Sequence, residues 1–302
     1  MLNTNFYSNG KLLLTGEYLV LDGALAFAVP TKFGQSLVVK PNSTDIIEWK
    51  SFDENQKVWF ENTFLIESIE SSNKIMLDEA SQRLLNILHV AKQLNPDFKL
   101  SQVSVETHLT FPRHWGLGSS STLINNIANW AQVDPFELLK KTFGGSGYDI
   151  ACAQYNTAIT YKLTEAVRLI EAVNFNPDFK EALYFVYLNK KQNSRDAIKT
   201  YRDNTINLSQ EIQSISSITQ HIIDCSNLTE FETLINKHEV IMSSVLKTQP
   251  VKNQLFTDFL GSVKSLGAWG GDFVLVTAKE HPSEYFKAKG FETVISYNDM
   301  IL

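Results

Sequence analysis

Apolar residues along the chain follow two rhythms. Runs rich in β-branched and aromatic residues predict strands at 36–40 (SLVVK), 45–49 (DIIEW), 57–68 (KVWFENTFLIES) and 101–109 (SQVSVETHL). The stretch 10–21, GKLLLTGEYLVL, reads as a strand, a tight Gly-Glu turn and a second strand. Spacing of three or four predicts a helix over 76–94, through Leu77, Ala80, Leu84, Leu88 and Ala91. It predicts another from Ser119 to about Gln132, through Leu123, Ile124, Ile127, Ala128 and Ala131, and a short one over 135–142. Near residue 165 the rhythm changes. A strand at 181–189, two or three helices across 194–246, a helix over about 251–265 and strands at 273–278 and 293–297 follow. The order predicts two α+β halves with a boundary near 160–180.

The 302 residues provide for one large domain or two of ordinary size. A net charge of −6 argues against a nucleic-acid or anionic-membrane partner, either of which would require a basic face. A local basic pocket for an anionic small molecule stays compatible with it. The two cysteines, Cys152 and Cys225, are far apart and form no metal or redox motif, so free thiols in a reducing compartment are expected. The N-terminus lacks a signal-peptide pattern, and no apolar run approaches the roughly 20 residues that cross a bilayer. Cytoplasmic residence is the expectation. The six histidines have no metal spacing and receive no role.

Candidate chemistry begins at 111–130, FPRHWGLGSSSTLINNIANW. Small and hydroxyl-bearing residues stand where a helix must begin. One cap needs one such residue; here Gly116, Gly118, Ser119, Ser120, Ser121 and Thr122 crowd the site around Leu117. Free backbone amides and the helix dipole at that end suit an anion, most often phosphate. An over-capped helix is the plain alternative. The common phosphate loop G-x-x-x-x-G-K-S/T is absent, because no Lys follows Gly118.

Three other stretches raise similar questions. Lys11 heads the apolar run before Gly16-Glu17-Tyr18, either snorkelling to water or serving a site. Asp149 stands among small and apolar residues in GSGYDIACA, as a helix cap or as a general base. Gly267, Gly270 and Gly271 in SLGAWGGDFVLV exceed what one turn requires.

Together the four stretches resemble the GHMP kinases, the family of galactokinases, homoserine kinases, mevalonate kinases and phosphomevalonate kinases. Pro112 followed by GLGSS resembles the family's phosphate loop. Gly10, Lys11, Leu14, Gly16, Glu17 and Tyr18 lie in register with its first motif, with Asn9 in place of Pro. GSGYDIA and the Gly270-Gly271-Asp272 loop resemble the phosphomevalonate kinase versions, although Trp269 stands where the family has Gly or a variable residue.

The resemblance implies a two-domain α+β fold. Residues 1–165 would form an ATP-binding half of the ribosomal protein S5 domain 2 type, and 166–302 a ferredoxin-like half. It implies ATP and Mg²⁺ as cofactors, with Gly116, Leu117, Gly118, Ser119, Ser120, Ser121, Gly270 and Gly271 at the nucleotide. Asp149 and Lys11 would be catalytic, and Ser120 with Glu137 would face the metal, a solvated helical Glu137 being the alternative. Glu17, Tyr18, Lys190, Lys191, Ser194 and Arg195 would face the acceptor, a solvated loop being the alternative for the last four. Phosphomevalonate is the expected acceptor, with mevalonate as the alternative. A diphosphomevalonate decarboxylase and a non-catalytic nucleotide-binding protein of the same fold stay open. The partner expected is a small-molecule acceptor, with no nucleic acid and no membrane; a homodimer is left open.

Overall fold

The computed structural model describes residues 3–70, 78–165, 167–192, 194–204 and 207–302, apart from the side chains at 70, 194–196 and 204. The fold is mixed α+β, with a large mixed sheet and a smaller antiparallel sheet. The chain falls into two compact units interleaved in sequence. One holds Met1–Gly10, Phe33–Arg113 and Leu117–Gln154; the other holds Lys11–Lys32, His114–Gly116 and Tyr155–Leu302. Strands β1 (Thr4–Thr15) and β2 (Ala26–Pro41) each pass from one unit into the other.

In the first unit, β2 is followed by β3 (Ile46–Phe52), β4 (Val58–Leu65), α1 (Ile66–Glu70), α2 (Glu79–Leu94) and β5 (Val103–Leu109). The end of β2 pairs antiparallel with β5, which runs parallel to β3, and β3 pairs antiparallel with β4. Helices α3 (Ser119–Ala131), α4 (Pro135–Thr142) and α5 (Tyr148–Gln154) complete the unit. Its core unites Trp49 and Val105 of the sheet with Leu84, Leu88, Ile124 and Ile127 of the helices. The helix expected over 76–94 runs from Glu79, capped by the Asp78 side chain; its first expected residues, 76 and 77, lie outside the described residues.

The second unit adds β6 (Ala158–Leu163), β7 (Arg168–Val173), β8 (Leu183–Tyr187), α6 (Ser194–Asn204), α7 (Ser209–Asp224), α8 (Leu228–Leu246) and α9 (Val251–Leu255). Then come β9 (Val263–Ser265), β10 (Phe273–Thr277), α10 (Ser283–Ala288), β11 (Val294–Ser296) and α11 (Tyr297–Met300). Four of these strands form an antiparallel sheet in the order β11-β8-β10-β9, the order of a ferredoxin-like sheet. Val186, Val274 and Val276 pack there against Phe256 and Phe286. Residues Ala26–Ala28 of β2 pair with β6, which forms a hairpin with β7.

Two expected elements differ. The second strand after Gly16 is instead a single 3-10 turn, Leu19–Asp22, closed by Gly23 at φ 91°. Leu19 and Val20 are buried by that turn rather than by strand pairing. The helix expected over 251–265 stops at Leu255. Gly261 then packs so closely on the Thr277 carbonyl that a Cβ would stand 1.8 Å from its oxygen. This lets 263–265 pair with β10, Lys264 opposite Leu275. The β6–β7 hairpin was not foreseen.

Candidate active site

The serine loop is shaped by two glycines around one buried leucine. Gly116 and Gly118 take φ 70° and 93°, conformations costly for other residues, and Leu117 between them is fully buried. Gly118 is the cap position of α3, so the first amides of that helix have no intrahelical partner. Ser121 is buried and its hydroxyl donates to Gly118 O at 2.9 Å, tightening the loop. Thr122 is buried as well, donating to Gln35 Oε1 at 2.8 Å. Ser119 is partly exposed and Ser120 exposed. Neither hydroxyl has a hydrogen-bond partner among the described residues. The excess of hydroxyls therefore divides into two that build the loop and two that face outward from a helix N-terminus.

Lys11 meets this loop at its first glycine. Its Nζ donates to Gly116 O at 2.9 Å. On the same glycine lies the Asp272 carboxyl: a Cβ at Gly116 would stand 2.4 Å from Asp272 Cγ. Asp272 itself holds a positive φ of 52°, unusual for a residue with a side chain. Its N–H donates to Lys190 O at 2.7 Å, and its Oδ1 accepts the Gln192 N–H at 3.2 Å. Burial lifts the Asp272 carboxyl above the usual carboxylate range, and the positive charges of Lys11 and Lys191 oppose that rise. Gly271 is obligatory for the same packing, since a Cβ there would meet Gln192 and Lys190 O at 2.5 and 2.6 Å. The second unit thus brings Lys11, Gly116, Gly270, Gly271, Lys190 and Lys191 into one neighbourhood. Lys190 and Lys191 are exposed. Ser194 and Arg195 open α6, and their side chains lie outside the described residues.

Glu17 and Tyr18, expected at the acceptor, are both buried. The Glu17 carboxylate is fully enclosed, with Lys264 Nζ at 2.6 Å from Oε1 and His238 Nε2 at 3.1 Å from Oε2. Gly16 N–H also donates to His238 Nε2, at 3.2 Å. Glu239 completes the cluster: its Oε2 accepts the Ser265 hydroxyl at 3.1 Å, and its Oε1 lies 3.7 Å from Lys264 Nζ. Burial alone would raise the pKa of Glu17, but Lys264, and His238 after it, outweigh burial and hold this carboxyl below the usual range. Burial, then Lys264, push the His238 ring below its ordinary pKa, and the Glu17 carboxylate opposes them. With one ammonium for two carboxyls, Glu239 takes the remaining proton: burial pushes it up to about 7.

That assignment predicts a pH dependence. A carboxyl raised from 4.5 to about 7 on folding stabilises fully below 4.5 and loses that contribution as pH rises through 7. Glu239→Gln is neutral throughout. The melting temperature of the variant minus that of wild type should therefore climb between pH 4.5 and 7 and level off above. The full span is about 3 kcal/mol. A difference flat over this window would show that Glu239 ionises normally.

Asp149 lies on the first unit, in the first turn of α5. Gly144, Gly145 and Gly147, all at positive φ, lead into that helix. Gly147 O accepts the Ala151 N–H, so the cap position belongs to Gly147 and not to Asp149. Asp149 is partly exposed, with Oδ1 accepting the Ile150 N–H at 3.1 Å. Gln154 at the far end of α5 donates to Asn125 Oδ1 of α3 at 2.9 Å, which ties Asp149's helix to the serine helix. Glu137 sits partly exposed in the first turn of α4, whose cap is Asp134. Among the described residues, no group of three or more His, Cys, Asp or Glu is placed to hold a metal ion. Lys264, His238, Glu239 and Gln192 escaped sequence reasoning. A lysine between Val263 and Ser265 in an apolar run was the one available signal.

No family model and no curated protein matches the sequence. Solved structures do. The mevalonate kinase of Methanococcus jannaschii is similar at a TM-score of 0.71 and 16% identity, over 97% of this chain and 96% of that one. The Streptococcus pneumoniae phosphomevalonate kinase, in complex with phosphomevalonate and AMPPNP, is similar at 0.71 and 14%, over 97% and 99%. The Lactococcus lactis galactokinase complexed with galactose is similar at 0.69 and 12%, over 95% and 88%. No described helix is long and apolar enough to cross a membrane. With likeness over nearly the whole length of kinases of three different acceptors, the chain has the two-domain α+β fold of the GHMP kinases.

Proposed function

We propose that this chain is an ATP-dependent small-molecule kinase that transfers the γ-phosphoryl group to an anionic acceptor, phosphomevalonate. The observation that carries this reading is the serine loop. Among the described residues, two hydroxyls without a partner, those of Ser119 and Ser120, stand at the start of a helix capped by Gly118. Those groups fit a polyphosphate: amides and hydroxyls donate, and the helix dipole supplies positive charge. Ser119 and Ser120 with the first amides of α3 would hold the phosphates. Ser120 and Glu137 are the oxygen donors that would face Mg²⁺, a hard cation that takes oxygen ligands. That ion would neutralise charge on the phosphates when bound.

The remaining work falls to the chain's own residues. Lys11 offsets negative charge developing on the transferred group. Asp149 accepts the proton of an acceptor hydroxyl or phosphate. Lys190 and Lys191 favour an acceptor bearing carboxylate or phosphate. Catalysis on this reading is positioning and electrostatics more than covalent chemistry.

An ATP-consumption assay against phosphomevalonate, mevalonate, diphosphomevalonate, homoserine and galactose tests it. Phosphomevalonate should give the highest kcat/KM, with mevalonate second. A clear preference for galactose would overturn the anionic acceptor. ATP binding without turnover on any compound would leave a nucleotide-binding protein.

A further inference from the structure

Glu17, Tyr18 and Leu19 form a γ-turn. Leu19 N–H donates to Glu17 O at 2.6 Å around Tyr18, which stands at φ 59° and ψ −49°. A bulky residue at positive φ in such a turn is rare and strained, and it persists only where its surroundings over-determine it. On one side the Glu17 carboxylate is held by Lys264. On the other, the Tyr18 hydroxyl accepts the backbone N–H of Trp269 at 3.3 Å. The Tyr18 ring also packs against Tyr201, with centroids 5.5 Å apart. Behind the turn, Gly16 lies so close to Ala26 that a Cβ would stand 2.8 Å from its Cα, leaving the backbone no room to relax.

A buried lysine is a costly way to fill a strand, since a well-packed apolar side chain serves stability as well or better. Lys264 is nonetheless wholly buried on β9 and gives its hydrogens to Glu17 and to Ser265 O at 2.9 Å. What an apolar residue there could not supply is a fixed position for the Glu17 carboxylate. We propose that Lys264 is a positioning residue. Through Glu17 it holds the strained turn at Tyr18, and through the Tyr18 hydroxyl it fixes the Trp269 amide and the glycine loop that ends at Asp272 against Gly116. This inference rests on the reading of the chain as a kinase, in which that loop serves the nucleotide.

Lys264→Met keeps the side-chain length and removes the charge. It should lower phosphoryl-transfer turnover at least tenfold while KM for ATP stays within twofold. In protein labelled with ¹⁵N-tryptophan, the Trp269 backbone amide, identified by its loss in Trp269→Phe, should shift in Lys264→Met. It should shift likewise in Tyr18→Phe, which removes the hydroxyl acceptor. The double variant Glu17→Gln/Lys264→Met, with no charge left unpaired, should regain thermal stability but not turnover. If Lys264→Met fails to fold, the double variant carries both measurements. An unmoved Trp269 amide, or wild-type turnover in the double variant, would overturn the proposal. Should wild type itself phosphorylate nothing, the kinase reading fails while the Trp269 amide still decides whether Lys264 positions the loop.

Discussion

Asp149→Asn should reduce phosphoryl-transfer turnover by about a hundredfold or more, the scale of losing a general base. The protein should stay folded and still bind ATP. The structure makes this a clean test. Asp149 is not the cap of α5, since Gly147 occupies that position. The bond its side chain accepts from Ile150 N–H can be accepted equally by an Asn oxygen. What Asn removes is a negative charge in the first turn, about 0.3–1 kcal/mol against the helix dipole. For a chain of this size that lowers the melting temperature by no more than a few degrees. A large fall in turnover therefore reports chemistry and not folding. Retained turnover would make the carboxylate a partner of the helix dipole only and move the catalytic burden to Lys11.

Ser120→Ala should cost roughly ten- to a thousandfold in turnover with ATP, the range for one preorganised charge-stabilising contact. Ser120 is exposed in the first turn of α3, and its hydroxyl has no hydrogen-bond partner among the described residues. Alanine is a better helix former than serine, so the variant should be at least as stable as wild type. Ser121→Ala is the internal contrast. It removes the bond to Gly118 O that tightens the loop, so its main effect should be on melting temperature. Equal ATP affinity and turnover in Ser120→Ala and wild type would remove the phosphate cradle.

Much of this was legible along the chain, for local reasons. Helix α4 begins and ends where expected because Asp134 caps it and Pro135 occupies its first turn. Helix α3 starts at Ser119 because Gly118 breaks the strand-like run before it. Where expectation failed, a distant contact decided. The Leu-Val-Leu run after Gly16 looks like strand, but the γ-turn at Tyr18 folds it into a 3-10 turn. The helix expected to reach 265 is cut short by the closeness of Gly261 to Thr277 O, across the sheet. Lys11 was recognisable by its motif, and its bond to Gly116 O spans 105 residues that no periodicity reports. Glu17 matched a motif too, yet its partners His238 and Lys264 lie beyond any local pattern, and they turn it inward.

The segment from Lys11 to Lys32 carries a consequence for how the chain is made. Its anchors arrive late: Ser216 for the Leu25 amide, Thr219 for Thr15, His238 for Gly16 and Lys264 for Glu17. Glu17 and Lys264 are 247 positions apart. At ribosomal speeds of 5–20 residues per second, roughly 12–50 seconds separate their synthesis. Throughout that interval LLLTGEYLVL, a nascent apolar stretch whose strand can already pair with β2, carries in its middle a carboxylate without its native partner. This is the exposure that chaperones guard, and such distant pairing folds slowly. The native setting of Glu17 can therefore be completed only after Lys264 has been made.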